Sequence, residues 1–132
     1  MTNRTKTLAA LLLAATLAAC ATPEFGTKGP GAIRTTKAGA VLVDARGMTL
    51  YTYDKDTPGK SACTGICAVA WPPALAAKGA EPHDGFTLIA RGEDSRQWAY
   101  KGHPLYGYIR DTEPGDVTGD GADDGVWHAA RK

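Results

Sequence analysis

Apolar positions along the chain fall into short β-prone bursts separated by turn residues, with one longer apolar run near the N-terminus. AVLVD at 40–44, FTLIARG at 86–92 and RQWAY at 96–100 read as strands, and VWHAARK from Val126 reads as another. LYTY at 50–53 alternates with period two, which puts Tyr51 and Tyr53 on one face and Leu50 and Thr52 on the other. PLYGY at 104–108 does the same, with Tyr106 and Tyr108 opposite Leu105 and Gly107. The intervening ARG at 45–47 and YKG at 100–102 each offer a glycine for a turn with positive φ, so each pair of runs predicts a β-hairpin. Gly107 inside a strand predicts a bulge or another backbone close by, and Pro104 belongs at a strand start or a sheet edge. The one helical signal is SACTGICAVAWPPAL at 61–75, where Ser61 is placed to cap a short helix and Pro72 and Pro73 to stop it. ALAAKGAEPHDG at 74–85 predicts a short helix or a loop, with His83 solvated in a turn.

The two hairpins repeat one phrase. At an offset of 55 residues, VDARGMTLYTYDKD (43–56) aligns with WAYKGHPLYGYIRD (98–111). Gly47/Gly102, Leu50/Leu105, Tyr51/Tyr106, Tyr53/Tyr108 and Asp56/Asp111 are identical, and DTPG at 56–59 is answered by DTEPG at 111–115. This is an internal duplication. The expected fold is mainly β: a small domain of two related β-hairpin repeats, units about 40–60 and 95–115, linked by a short disulfide-bearing helical segment. Asp56 and Asp111 each end a strand, where a carboxylate is expected to bond backbone N–H groups two residues on. The paired tyrosines are expected to pack in the core rather than to form a ligand platform.

Tyr-x-aromatic-x-x-Asp, present as Tyr51–Asp56 and again as Tyr106–Asp111, resembles the motif of a family of predicted bacterial envelope lipoproteins, a secreted repeat of unknown function. The resemblance extends over LVDARGMTLYTYDKD, SACTGICAVAWPP, QWAYKGHPLYGY and PGDVTGDGADDGVW, most of the chain after residue 38. It implies a place in the envelope and carries no reaction or ligand onto these positions.

The N-terminus agrees with that place. Arg4 and Lys6 precede the apolar run LAALLLAATLAA at 8–19, which has the charge and length of a signal peptide and is too short to span a bilayer. LAAC at 17–20 resembles a lipobox, which implies lipidation of Cys20 and anchoring without a membrane span. Residues 1–19 are then the signal peptide, and 20–37 the lipidated cysteine and a flexible tether reaching about 20–25 Å, although Ile33 to Lys37 can also be read as an early edge strand. The domain is expected over 38–132. Ala21 after the cysteine, by resemblance to bacterial sorting rules, favours the outer membrane, facing the periplasm or the surface. Removing residues 1–20 takes Arg4 and Lys6 from the 15 cationic residues and none of the 14 acidic ones, turning the formal charge from +1 to −1. A nucleic-acid partner, which requires a basic patch, is not expected. The expected partners are the membrane, through the lipid, and an envelope protein.

Candidate chemistry is thin. Cys63 and Cys67 are one helical turn apart in an oxidising compartment, within reach of a disulfide staple. The alternative is a soft-metal or thiol-redox site, with Met48 and His103, equivalent positions after the two turn glycines, as accessory ligands. In the tail, Asp116, Thr118, Asp120, Gly121 and Asp124 imitate an EF-hand loop, but Trp127 stands where its bidentate Glu is needed, and no helices flank it because a strand is expected before it. A solvated turn is the plainer reading. With no His–Asp pairing beside a nucleophile and no phosphate loop, a non-catalytic module without a cofactor is expected.

Overall fold

The computed structural model describes residues 29–132. The signal segment, Cys20 and the first part of the 20–37 tether lie outside the described residues. The elements are β1 (Ala32–Thr36), β2 (Gly39–Val43), β3 (Tyr51–Tyr53), α1 (Ile66–Ala70), β4 (Phe86–Arg91), β5 (Ser95–Tyr100), β6 (His103–Pro104), α2 (Ala122–Gly125) and β7 (Trp127–Ala129). They form a β1–β2 pair, a β3–β7 pair and a β4–β5–β6 sheet, all antiparallel. The mainly β, two-repeat expectation holds. The tether is shorter than expected, because AIRTT pairs with β2 from Ala32 opposite Val43 to Thr36 opposite Gly39. No helix among the described residues is long and apolar enough to cross a membrane.

The two hairpins reach the same geometry through different turns. In the second, Lys101 (φ 46°) and Gly102 (φ 85°) form a two-residue connection between Tyr100 and His103, both residues in the left-handed region. In the first, the Asp44 N–H bonds the Met48 carbonyl at 2.9 Å across a three-residue loop, with Gly47 at φ 83°. The extra residue shifts the upstream strands to an offset of 56. Leu50 N–H therefore bonds Leu42 O as Leu105 N–H bonds Trp98 O, at 3.0 and 2.9 Å.

The repeats then exchange their ends. Tyr51 and Tyr106 trade main-chain bonds, N to O at 2.8 and 3.0 Å. Beyond them the closing arm of each repeat joins the other's hairpin. Ala74 bonds Leu105 and Trp98 of the second repeat, and Ala130 bonds Leu50 and Leu42 of the first, through the same pattern of N–H and carbonyl groups. β3 pairs with β7, and Tyr106 pairs with Pro73 in the equivalent place. Gly107 fits its sequence reading, since its N–H bonds the Pro72 carbonyl at 2.8 Å. Pro104 lies in β6, at the edge of its sheet.

Period-two alternation sorts side chains into two cores. Val41, Val43, Tyr51, Cys63, Trp71, Tyr106, Val117 and Trp127 fill the first, and Leu42, Leu50, Phe86, Trp98, Tyr100 and Leu105 fill the second. Through the first runs a column of four rings: Tyr53 on Trp127 at 4.2 Å, Trp127 on Trp71 at 3.8 Å, and Trp71 on Tyr108 at 4.0 Å, all within 18° of parallel. Face-to-face stacking is not what ring quadrupoles favour, so the column relies on apolar burial, about 5 kcal/mol gross for each Trp. His83 is not solvated, as its turn suggested. It is half-buried, stacked on Phe86 at 5.2 Å, with Nε2 3.0 Å from the Pro30 carbonyl. Residues 74–85 are loop and extended chain, without a helix.

The column leaves no room at Gly119, where a Cβ would meet Trp71 ring carbons at 2.7 and 2.9 Å and Tyr108 at 3.0 Å. Gly119→Ala is expected to cost about 1–3 kcal/mol, read as a melting temperature lower by about 4–8 °C per kcal/mol. Gly107→Ala, whose methyl would meet only the Pro72 oxygen at 3.9 Å, should be nearly neutral. Equal melting temperatures for the two variants would contradict this packing.

Candidate binding cleft and the motif network beneath it

The motif residues meet across the repeats, not within them. The Tyr51 hydroxyl donates to Asp111 Oδ2 at 2.5 Å, and the Tyr106 hydroxyl donates to Asp56 Oδ2 at 2.8 Å. Each carboxylate uses its second oxygen in its own repeat: Asp56 accepts the Ala62 N–H at 2.6 Å, and Asp111 accepts the Thr118 N–H and hydroxyl at 3.0 and 2.5 Å. The expected bonds to N–H groups two residues on are therefore replaced by bonds six and seven residues on, plus the phenol. One signal in the sequence pointed here. Each copy has a phenol donor and a carboxylate acceptor at the same spacing, so two copies related by a twofold satisfy one another. The tyrosines pack as expected, with Tyr51 and Tyr106 fully buried and Tyr53 and Tyr108 half-buried at the ends of the ring column.

Burial dominates the electrostatics. It pushes the Tyr106 phenol up to about 12 and raises Tyr51 as well, each helped by its carboxylate partner. Burial also lifts the Asp56 carboxyl above its ordinary value, against the pull of the Ala62 N–H and the Tyr106 phenol.

Around Asp56 the network is larger than around Asp111. Ser61 Oγ lies 2.7 Å from Tyr106 Oη, and Arg91 donates to Ser61 Oγ, Gln97 Oε1 and the Cys63 carbonyl at 2.8, 2.9 and 2.6 Å. Ser61 is thus part of this network and not the helix cap, a place taken by Gly65. α1 does end at Trp71, just before the two prolines. Cys63 and Cys67 form the disulfide, with Cα atoms 5.2 Å apart and Cys63 buried in the first core.

The accessory ligands do not join the sulfurs. Met48 is on the wall of a surface cleft that neither cysteine nor His103 lines, and His103 is exposed. No group of three or more His, Cys, Asp and Glu side chains among the described residues is placed to hold a metal. The tail carboxylates turn onto the chain itself. Asp116 accepts from the N–H groups of Thr112 and Glu113, which hold its carboxyl below the usual range, and Asp120 accepts the Ala129 N–H at 2.8 Å. Thr118 is committed to Asp111, Asp124 sits in α2 at φ 60°, and Trp127 is in the core. The chain before Asp116 runs as turns, not as the strand expected there.

The cleft itself was not legible in the sequence. It has a volume of about 620 Å³ and lies on the seam between repeats. Arg46 and Met48 of the first turn, Pro72, Pro73 and Leu75 of the exchanged arm, and Tyr108 and Asp111 of the second repeat line it. Arg46 pairs with Asp44 at 3.3 Å, and Gly29 and Pro30 also line the cleft. Its size suits a small ligand or a short peptide segment.

A family model described as a secreted repeat of unknown function matches residues 32–75 and 87–131. Those two matches coincide with the two exchanged units and extend beyond the shared phrases on both sides. No curated protein and no solved structure matches the chain.

Two outcomes follow from this network. The folded chain retains phenol protons that the unfolded chain releases near 10.0. Stability is therefore full below pH about 10 and falls as pH rises toward about 12, and Tyr51→Phe or Tyr106→Phe should flatten that slope in alkaline melting curves. A slope unchanged in both variants would contradict the assignment. Replacing Cys63 and Cys67 by alanine should lower stability by about 2 kcal/mol in denaturant titrations while the near-UV spectrum of the stacked tryptophans persists.

Proposed function

The chain belongs to the family of secreted repeats of unknown function, and from that premise we propose that it is a lipid-anchored, non-catalytic binding module of the cell envelope. The observation that carries the reading is the seam cleft. Both repeats build it, and the half-buried Tyr108 and the exposed Leu75 are open to a partner there. The groups a catalyst would draw on are committed elsewhere, since Tyr51, Tyr106, Asp56, Asp111, Ser61 and Arg91 bond one another.

The anchor reading rests on LAAC at 17–20. Gly29, nine residues beyond Cys20, already borders the cleft. Fully extended, nine residues span about 30 Å, so an acylated Cys20 would keep Gly29 within about that distance of the bilayer. The partner is then an envelope protein met at the membrane, and Ala21 favours the outer membrane as the site.

Expression with labelled palmitate should mark the protein, and Cys20→Ser should abolish the label and release the chain from the membrane fraction if the signal is otherwise cleaved. A photo-crosslinking residue at Leu75 or Arg46 should give one discrete adduct in whole cells, while the same residue at the exposed Glu93 gives none. Unlabelled wild-type protein would overturn the anchor, and identical crosslinking at all three positions would overturn the cleft.

A further inference from the structure

The duplication supplies an internal control for most surface positions, because outside single-residue insertions each residue of one repeat has a counterpart in the other. Against that control, α1 stands out. Ile66 is 90% exposed and Val69 66%, one turn apart on a helix with no buried residue. Ile109, 59% exposed, is held beside them by the bond from its N–H to the Ala70 carbonyl at 3.0 Å. The counterparts of these three in the other half are Ala122, Gly125 and Asp54, so the fold does not require apolar side chains there. The counterparts of Cys63 and Cys67 are Gly119 and Asp123, so the disulfide too belongs to this half alone. Three large exposed apolar side chains on one edge of so small a domain mark a contact surface.

The charges around the two loops differ as sharply. From Thr57 to Trp71 the chain has Lys60 and no acidic residue, and Arg110, whose counterpart Lys55 is also basic, follows Ile109. The counterpart stretch from Thr112 to Trp127 carries Glu113, Asp116, Asp120, Asp123 and Asp124 and no basic residue. Lys60 and Arg110 form no ion pair among the described residues. Exposed apolar side chains with unpaired cations near them in sequence are what an anionic bilayer interface accepts, and acidic residues are what it repels.

We propose that the disulfide-braced α1 edge, Ile66, Val69 and Ile109 with Lys60 and Arg110, docks on an anionic phospholipid surface. This rests on the anchor reading for its strength. A chain of about 100 residues has a radius of gyration of about 13 Å, and the roughly 30 Å from Cys20 to Gly29 lets any face turn to the bilayer. Tethering raises the local concentration, so a weak contact suffices to set orientation.

The test uses the mature lipid-bearing protein on vesicles of phosphatidylethanolamine with phosphatidylglycerol and, separately, of phosphatidylcholine alone. Hydrogen exchange at 63–70 and 108–111 should slow several-fold on the anionic vesicles only, and high salt should reverse it. Ile66→Ser with Val69→Ser should abolish the slowing while the near-UV spectrum is unchanged. Lys60→Glu with Arg110→Glu should abolish the preference for anionic lipid without touching the apolar residues. Equal exchange with and without vesicles overturns the proposal, as does protection that rises with protein concentration in their absence, which would mean self-association. Intact mass reads acylation of Cys20 separately. An unacylated protein that still shows vesicle-dependent protection loses the anchor and keeps the docking edge, whereas an acylated one without protection keeps the anchor and loses the edge.

Discussion

Everything in this domain is arranged around the place where Tyr51 and Tyr106 lie side by side. Their main chains exchange two hydrogen bonds, and their phenols reach past each other to Asp111 and Asp56. A buried carboxylate without partners is costly, and a buried phenol without an acceptor is costly too. Neither repeat satisfies its own pair, because the spacing from Tyr to Asp carries the carboxylate away from its own phenol and toward the other copy's. The polar network therefore forces the two repeats together in one register, and the apolar side chains fill what that register leaves. The ring column lies beside this crossing, with Tyr51 edge-on to Trp71 and Tyr106 edge-on to Trp127.

Duplicated chains keep what the crossing needs and change the rest. The turn glycines are retained at nearly the same φ even though the loops around them differ in length. The arms through Ala74 and Ala130 retain their bonding pattern with different side chains in the two copies. Divergence collects in the loops after each motif aspartate, where one copy has a disulfide and apolar residues and the other has aspartates and glycines. The scaffold is shared, and the two outer loops are where one half acquires a character the other lacks.

Most of the architecture was legible in the residues because it follows local rules. Period-two alternation separated Tyr51 and Tyr53 from Leu50, and those side chains do enter different cores. Gly107 and the Cys63–Cys67 spacing announced themselves in the same way. What escaped was non-local. The exchange of arms, the crossed phenol–carboxylate bonds and the cleft each need two segments about 55 residues apart in sequence to be placed together. Ser61 had the right identity for a cap and was claimed instead by Tyr106 and Arg91, a tertiary demand stronger than a local preference. His83 had the flanks of a solvated turn residue, yet Phe86, Trp98 and the Pro30 carbonyl enclose it.

The exchange of arms also sets an order on biosynthesis. Ala130 lies between the strands of the first hairpin, bonded to both Leu42 and Leu50, and it belongs to the closing arm of the second repeat. The first repeat therefore has an open sheet and an uncovered core until the closing arm of the second repeat is present. A protein threaded N-terminus first through a narrow translocation pore benefits from that arrangement. A leading half that lacks its closing strand is pliable, and it closes only when the trailing half joins it. An interleaved duplication is in this sense a fold with a built-in delay, suited to a chain that is made in one compartment and used in another.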